Sequence, residues 1–176
     1  MPLVAKSLGV GVTSIYWHIR NKSELLDAMT DRALRRSGLP VFVESVDWRE
    51  SLMTHARGVR ETLLGNPVLT DLILIRGALS PMARRLGAQE TDKAIASMIE
   101  AGLDRRKALE MYSAVSLLVR GSVLLERLAQ KHGRFGDVGL TDDDGAFADT
   151  EPSRDDRAFD LLLKSVLADS AHRDGD

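Results

Sequence analysis

The sequence contains no cysteine in 176 residues. A disulfide framework and a thiolate-ligated metal site are therefore impossible, and a reducing cytoplasm is the simplest compartment for the chain. The sequence also lacks a glycine-rich phosphate-binding loop and any motif that places a serine beside a histidine and a carboxylate. We therefore expect no enzymatic activity and no catalytic residue.

Long apolar runs are also scarce. The two longest, residues 68–79 and 114–125, are interrupted by Asp71, Arg76 and Arg120. Runs of this length are too short to span a bilayer, and no secretory signal is visible, so we expect no membrane association. Apolar residues make up 44% of the chain and charged residues 28%, which is an ordinary balance for a globular protein.

The charge is unevenly distributed. The formal net charge is −2, but residues 1–36 carry six lysines and arginines against three acids, which leaves +3 there and −5 in the remainder. A basic N-terminal segment on an acidic body suits binding to a polyanion. An ordinary solvated surface is the alternative, because a basic patch this small is common.

Every regular segment has the signals of a helix, so we predict an all-α fold. Asn21, Asp47, Asn66, Ser80 and Asp104 are candidate N-caps. We predict a small N-terminal head at residues 1–36, a linker at 37–46 and a larger helical domain at 47–176, with a mobile acidic loop at about 133–156. The consecutive aspartates of that loop lack the ligand spacing of a calcium site.

Apolar spacing predicts which helix faces are buried. Within the head we expect two packing faces, one formed by Ile15 and Ile19 and one by Leu25, Met29 and Ala33 with Leu26 beside them. In the larger domain we expect a stripe formed by Leu52, Ala56, Val59 and Leu63. The longest helix, at about 104–132, is apolar on more than one face, so something outside its own core must cover the second face.

Residues 3–22 combine a short apolar helix, a turn marked by Gly9 and Gly11, and a second short helix. Asn21 then caps a longer helix, with Glu24 at the position that completes a capping box. Lys22 lies in the first turn of that helix, where the helix dipole disfavours a cation. A lysine at this position makes sense if a phosphate lies opposite it.

The segment VAKSLGVGVTSIYWHIRNKSELLDAM closely resembles the TetR family of bacterial transcriptional repressors. The segments GNP, EAGL and FDLLLKSVL resemble, more loosely, the ligand-binding body of its tetracycline-repressor branch. The resemblance implies an all-helical homodimer with a helix-turn-helix head, which binds palindromic operator DNA and is released by a small-molecule effector.

The resemblance also implies which residues contact DNA. Base edges would be met by Val12, Thr13, Ser14 and Tyr16, and the DNA backbone by Trp17, His18 and Lys22. None of these is an arginine, asparagine or glutamine that makes a bidentate base contact, so we expect shape and phosphate contacts to dominate. The alternative is that Tyr16 and Trp17 are core aromatics and that His18 is an ordinary surface residue.

A ligand cavity in the larger domain is the second implication. The candidates for its lining are His55, Tyr112, Ser116 and Arg120, which fall on apolar stripes of two helices. A satisfied core histidine, a tyrosine that reaches the surface and an arginine that forms an ion pair are the alternatives. We expect no cofactor and no metal, because the four histidines are scattered and lack spaced carboxylate partners.

The resemblance places the dimer contact on two helices, at about 104–132 and 158–171, which would form a four-helix bundle with a second copy. The family's DNA-binding domain has three helices, and this sequence starts at the second. We therefore expect the natural chain to begin upstream of Met1, and the alternative is a destabilised head with weak DNA binding. Two alternatives to a repressor are a helical interaction module with vestigial DNA binding and, less favoured, an all-α enzyme.

Overall fold

The computed structural model describes residues 1–76, 80–132 and 154–168. Within these ranges every regular element is a helix, which confirms the all-α prediction. The elements are α1 Pro2–Leu8, α2 Val12–His18, α3 Lys22–Ser37, α4 Trp48–Leu64, α5 Pro67–Thr70, a π-helix at Asp71–Ile75, α6 Pro81–Glu100, α7 Arg105–His132 and α8 Arg154–Ala168. Most of the predicted acidic loop lies outside the described residues, and its last three residues, 154–156, belong to α8.

The first two helices contact each other, and each has one buried residue, Ala5 on α1 and Ile15 on α2. α1 ends at Gly9, whose φ of 66° is a left-handed conformation that favours glycine. The predicted packing face is confirmed at Ile15, which is buried, whereas Ile19 is half-buried and follows the end of α2 at His18. Leu3 on α1 is 82% exposed.

α3 connects this pair of helices to the rest of the molecule, since it packs against α5, the π-helix and α6. Its buried residues are Thr30 and Leu34, whereas Met29 is exposed. The predicted face through Met29 is therefore displaced by one residue. Thr30 can be buried because its hydroxyl donates to the carbonyl oxygen of Leu26, which satisfies the polar group. The predicted domain boundary at 37–46 stays a prediction.

The larger core is formed by α4, α6, α7 and α8. Leu52, Met98, Val119 and Leu163 are among its buried residues. The stripe predicted on α4 is confirmed, because Leu52, Ala56 and Leu63 are buried and Val59 packs against the core as a half-buried residue. A second cluster, in which Leu34 of α3 meets Leu63 and Val123, continues this core towards the head.

Arg60 of α4 is buried between α7 and α8, which its charge alone does not predict. Its Nη1 lies 2.6 Å from Asp156 Oδ1 and its Nη2 lies 3.2 Å from Glu126 Oε2. The guanidinium also lies over the ring of Phe159, with 4.8 Å between its Cζ and the ring centroid. A buried charge needs such partners, so Arg60 ties three helices together at one point.

The segment between α4 and α6 is not one continuous α-helix. Asn66 caps α5 by accepting a hydrogen bond from the amide of Leu69, as predicted. The chain then forms the π-helix at Asp71–Ile75, a rare element that often marks functional sites. Asp71 accepts hydrogen bonds from Arg127 Nε at 2.9 Å and Lys131 Nζ at 2.8 Å, which fixes the π-helix to α7.

α7 is the longest described helix, and Asp104 caps it by accepting from the amides of Arg106 and Lys107. By length and composition alone, its Arg105–Lys131 segment is long and apolar enough to cross a bilayer, although the apolar run at 114–125 within it is too short by itself. The central helix of a soluble protein passes the same test. Here α7 packs against α4, α6 and α8 and carries Glu126 and Arg127 in ion pairs.

Substituting Leu52→Ala tests the α4 packing. Leu52 is 1% exposed, so its truncation leaves a cavity and should lower the free energy of unfolding by about 2–5 kcal/mol. Urea denaturation at fixed protein concentration measures the change. Val46→Ala is the control, because Val46 is fully exposed and its truncation should cost less than about 0.5 kcal/mol. Equal costs for the two variants would contradict this account of the core.

Candidate nucleic-acid interface and ligand cavity

All seven residues predicted to contact DNA are exposed on α2 and at the start of α3. Tyr16 is 49% exposed and Trp17 is 84% exposed, which argues against their alternative role as core aromatics. The other five exposed residues are Val12, Thr13, Ser14, His18 and Lys22. Exposed aromatic and hydroxyl side chains next to a lysine make a surface that can meet bases and phosphates.

The start of α3 has the predicted cap. The amide of Glu24 donates to Asn21 Oδ1 at 2.9 Å, and the Glu24 carboxylate accepts from the amide of Arg20 at 2.7 Å. In a standard capping box the donor of the second bond is the amide of the N-cap residue, here Asn21, whereas in this structure it is the amide of the preceding residue, Arg20. Lys22 therefore lies exposed at the first turn of a helix whose N-terminus is well defined.

A cavity of about 170 Å³ lies in the larger domain, bordered by α3, α4, α6, α7, the π-helix and the linker. Its walls are mainly apolar and include Leu34, Leu39, Ile73, Leu86 and Val115. The volume is comparable with an engineered cavity of about 150 Å³ that binds benzene. The structure thus provides room for a small apolar group next to α3.

The four residues predicted for the ligand cavity all line it, namely His55, Tyr112, Ser116 and Arg120. Tyr112 is half-buried, and its hydroxyl lies 2.9 Å from Thr91 Oγ1 of α6. Arg120 is exposed at the edge of the cavity. The structure therefore brings the four candidates of α4 and α7 to one cavity, and their role in ligand binding stays a prediction.

His55 is the most enclosed of these residues. Burial disfavours the imidazolium and lowers its pKa, nearby Lys93 lowers it further, and Glu90 opposes the shift. The ring is therefore neutral at pH 7. Its Nδ1 atom is buried without a hydrogen-bond partner among the described residues. An unpaired buried ring nitrogen is costly, so this atom is a candidate partner for a polar group of a bound molecule.

Glu90 of α6 also lines the cavity, and sequence spacing did not identify it. Burial opposes its ionisation, but hydrogen bonds from Lys93 and from the backbone amide of Phe42 outweigh this and lower its pKa. Its neighbour in sequence, Gln89, is exposed, so only the fold distinguishes the two side chains. No group of three or more metal-ligating side chains occurs in the described ranges.

No protein-family model matches the chain. The tetracycline repressor protein class D of Escherichia coli is 30% identical over an alignment of 176 positions, which covers 98% of this chain and 71% of the relative. The class G repressor of Vibrio anguillarum is 30% identical over 94% of this chain and 80% of its own length. The chain belongs to the TetR family of transcriptional regulators.

The chain is also similar to an HTH-type transcriptional repressor of Mycobacterium tuberculosis. The two are 59% identical over 137 residues, which cover 77% of this chain. The match covers 52% of that relative, so the chain spans about half the length of the curated mycobacterial proteins it matches. The identity is high enough for the shared segment to have the same fold.

Solved structures of the TetR family agree with the helical architecture. A TetR variant of Acinetobacter baumannii in complex with minocycline superimposes with a TM-score of 0.65 at 27% identity, over 97% of this chain and 83% of that one. ActR of Streptomyces coelicolor, in complex with actinorhodin, gives a TM-score of 0.66 at 25% identity, over 100% of this chain and 88% of that one. The helix-turn-helix head and helical larger domain are thus those of the family.

The ion pairs of Asp71 make stability depend on pH. Hydrogen bonds from Arg127 and then Lys131 lower the pKa of Asp71 below its ordinary value. A lowered folded-state pKa contributes stability above the unfolded pKa of about 3.9, and this contribution is lost as the pH falls towards the folded value. Relative to Asp71→Asn, the parent protein should melt a few degrees higher at pH 7, and the difference should shrink below about pH 4.

Thermal melts monitored by circular dichroism at pH 7 and pH 3 measure this difference. Asp92→Asn is the control, since Asp92 is an exposed carboxylate on α6 with no ion pair among the described residues. It should change the melting temperature little at either pH. A difference between parent and Asp71→Asn that is the same at both pH values would contradict the ion-pair account.

Proposed function

We propose that this protein is a ligand-responsive transcriptional repressor, which binds operator DNA as a homodimer and leaves it when a small molecule fills the cavity. The observation that carries the proposal is that α3 borders both candidate sites. This helix begins beside the seven exposed candidate DNA contacts, and Leu34 near its other end lines the cavity. One rigid element therefore connects the two candidate sites.

DNA binding rests on α2 acting as the recognition helix in the major groove. Val12, Thr13, Ser14 and Tyr16 meet base edges, and Trp17, His18 and Lys22 meet the backbone. Hydroxyl groups and a single lysine provide little bidentate readout, so shape and phosphate contacts supply much of the binding free energy. Bacterial operator DNA lies in the cytoplasm, and we place the protein there.

The effector is a small apolar or amphipathic molecule bound without a metal. Apolar walls favour burial of its hydrocarbon part, while neutral His55, Tyr112 and Ser116 offer hydrogen bonds and Arg120 lies at the edge. The family members that bind minocycline and actinorhodin support a small-molecule effector. Binding must favour the conformation that does not fit the operator, because only a differential affinity shifts the equilibrium.

Homodimerisation uses α7 and α8. Leu117 and Leu125 of α7 are 71% and 66% exposed, and Leu161 of α8 is 70% exposed. Between the two helices is a groove of about 510 Å³ with Gly121 in its lining. An apolar surface of this kind on a soluble protein needs a cover, and a second copy packed about a two-fold axis supplies one.

Head variants test DNA binding. Lys22→Ala removes one phosphate contact from each protomer of the proposed homodimer, so it should weaken binding to all sequences and reduce the slope of log affinity against log salt by about 2. Tyr16→Ala should weaken binding at constant salt. Fluorescence anisotropy measures both, using a duplex selected from random DNA by the parent protein.

Arg85→Ala is the matched control, because Arg85 is an exposed cation on α6, in the larger domain and outside the two helices proposed for dimerisation. Its affinity and salt slope should equal those of the parent. If Lys22→Ala and Tyr16→Ala also bind like the parent, or if binding does not depend on salt, the repressor proposal is wrong and the helical interaction module is favoured.

A charge on the α7 surface tests the dimer. Leu117→Asp should produce a monomer at micromolar concentration, since an aspartate in an apolar interface must lose its hydration without a partner. Sedimentation equilibrium measures the mass. Val46→Asp is the control, on a fully exposed valine of the linker, and should remain dimeric. A Leu117→Asp protein that is folded and still dimeric would place the interface elsewhere.

A further inference from the structure

The linker is packed closely against the larger domain at the cavity. Leu39 and Pro40 line the cavity, and the side chain of Phe42 is buried in the main core. The linker follows α3 directly, so any displacement of residues 39–42 reaches the C-terminal end of α3. A molecule in the cavity would therefore contact the segment that positions the head.

One polar contact fastens this segment to α6. The backbone amide of Phe42 donates to Glu90 Oε2 at 2.5 Å, and the other oxygen of Glu90 accepts from Lys93 Nζ at 2.8 Å. A charged acceptor makes a stronger hydrogen bond than a neutral one. Glu90 thus faces the cavity and holds the linker with the same carboxylate.

Two contacts from α4 complete the attachment. The ring of Phe42 meets the ring of His55 edge to face, with 5.6 Å between their centroids. Pro40 lies so close to Gly58 that a Cβ at that position would be 3.2 Å from the Cβ of Pro40. The linker is therefore positioned from both sides, by Glu90 on α6 and by His55 and Gly58 on α4.

We propose that Glu90 is a positioning residue that couples the cavity to the DNA-binding head, by holding the Phe42 amide and so the linker and α3. A ligand that displaces the Glu90 carboxylate or Pro40 releases the linker and lets α3 change its orientation. This inference rests on the proposed repressor function. In that function, Glu90 is the residue through which a ligand in the cavity changes the orientation of the head.

Three variants of the full chain test the proposal. Glu90→Ala removes the acceptor, Glu90→Gln keeps an acceptor oxygen for Phe42, and Lys93→Ala removes only the ion pair. Hydrogen–deuterium exchange of the linker peptide and operator affinity are measured for each, below the melting temperature of every variant. Glu90→Ala should exchange faster at Phe42 and bind the operator roughly tenfold more weakly, which is within the usual range of coupling between sites.

Glu90→Gln and Lys93→Ala should both stay within about twofold of the parent in affinity, a change of less than 0.5 kcal/mol. A purely structural role would not produce this rescue. In Gly58→Ala the added methyl group of α4 displaces Pro40 of the same segment and leaves Glu90 in place. This variant should also weaken operator binding.

The proposal is overturned if Glu90→Ala binds the operator as tightly as the parent, or if Glu90→Gln and Lys93→Ala weaken binding as much as Glu90→Ala does. Should Glu90→Ala fail to fold, normal operator binding by Gly58→Ala would overturn it. If the parent selects no DNA sequence, the repressor function itself fails. That outcome is distinct from a parent that binds DNA and a Glu90→Ala variant that binds equally well.

Discussion

The structure depends on one constraint, which is that α7 carries more apolar surface than a single core can cover. Val115, Val119 and Val123 are buried against the larger domain, whereas Leu117 and Leu125 remain exposed on the opposite face. The buried face forms one wall of the cavity, and the exposed face is the surface that we propose for dimerisation. In the proposed function, ligand binding and dimerisation therefore use opposite faces of one helix.

Charged groups fix the position of α7 among its neighbours. Arg60 joins it to α4 and α8 through Glu126 and Asp156, and Asp71 joins it to the π-helix through Arg127 and Lys131. Apolar packing alone tolerates sliding along a helix, whereas paired charges have preferred distances and angles. The cavity is thus enclosed by elements whose relative positions are set by specific contacts.

The family and its two candidate sites were accessible from the sequence, because their signals are local or lie on single helices. The motif containing Tyr16 and Trp17 is continuous, and His55, Tyr112 and Ser116 follow helical spacing. The spacing of apolar residues fails to predict the buried face of a helix where a polar side chain is buried in place of an apolar one. Thr30 is buried in place of Met29 because its hydroxyl is satisfied within the helix, and the pattern of apolar letters does not record that bond.

The sequence by itself determined where helices begin, through capping side chains such as Asn21, Asn66 and Ser80, and it determined the family through the helix-turn-helix motif. Those signals act over three or four residues, so they are readable without a fold. The tertiary structure decided which polar groups are buried and with what partners. Arg60 meets Asp156 across 96 residues and Phe42 meets Glu90 across 48, and contacts at such separations exist only once the helices have packed.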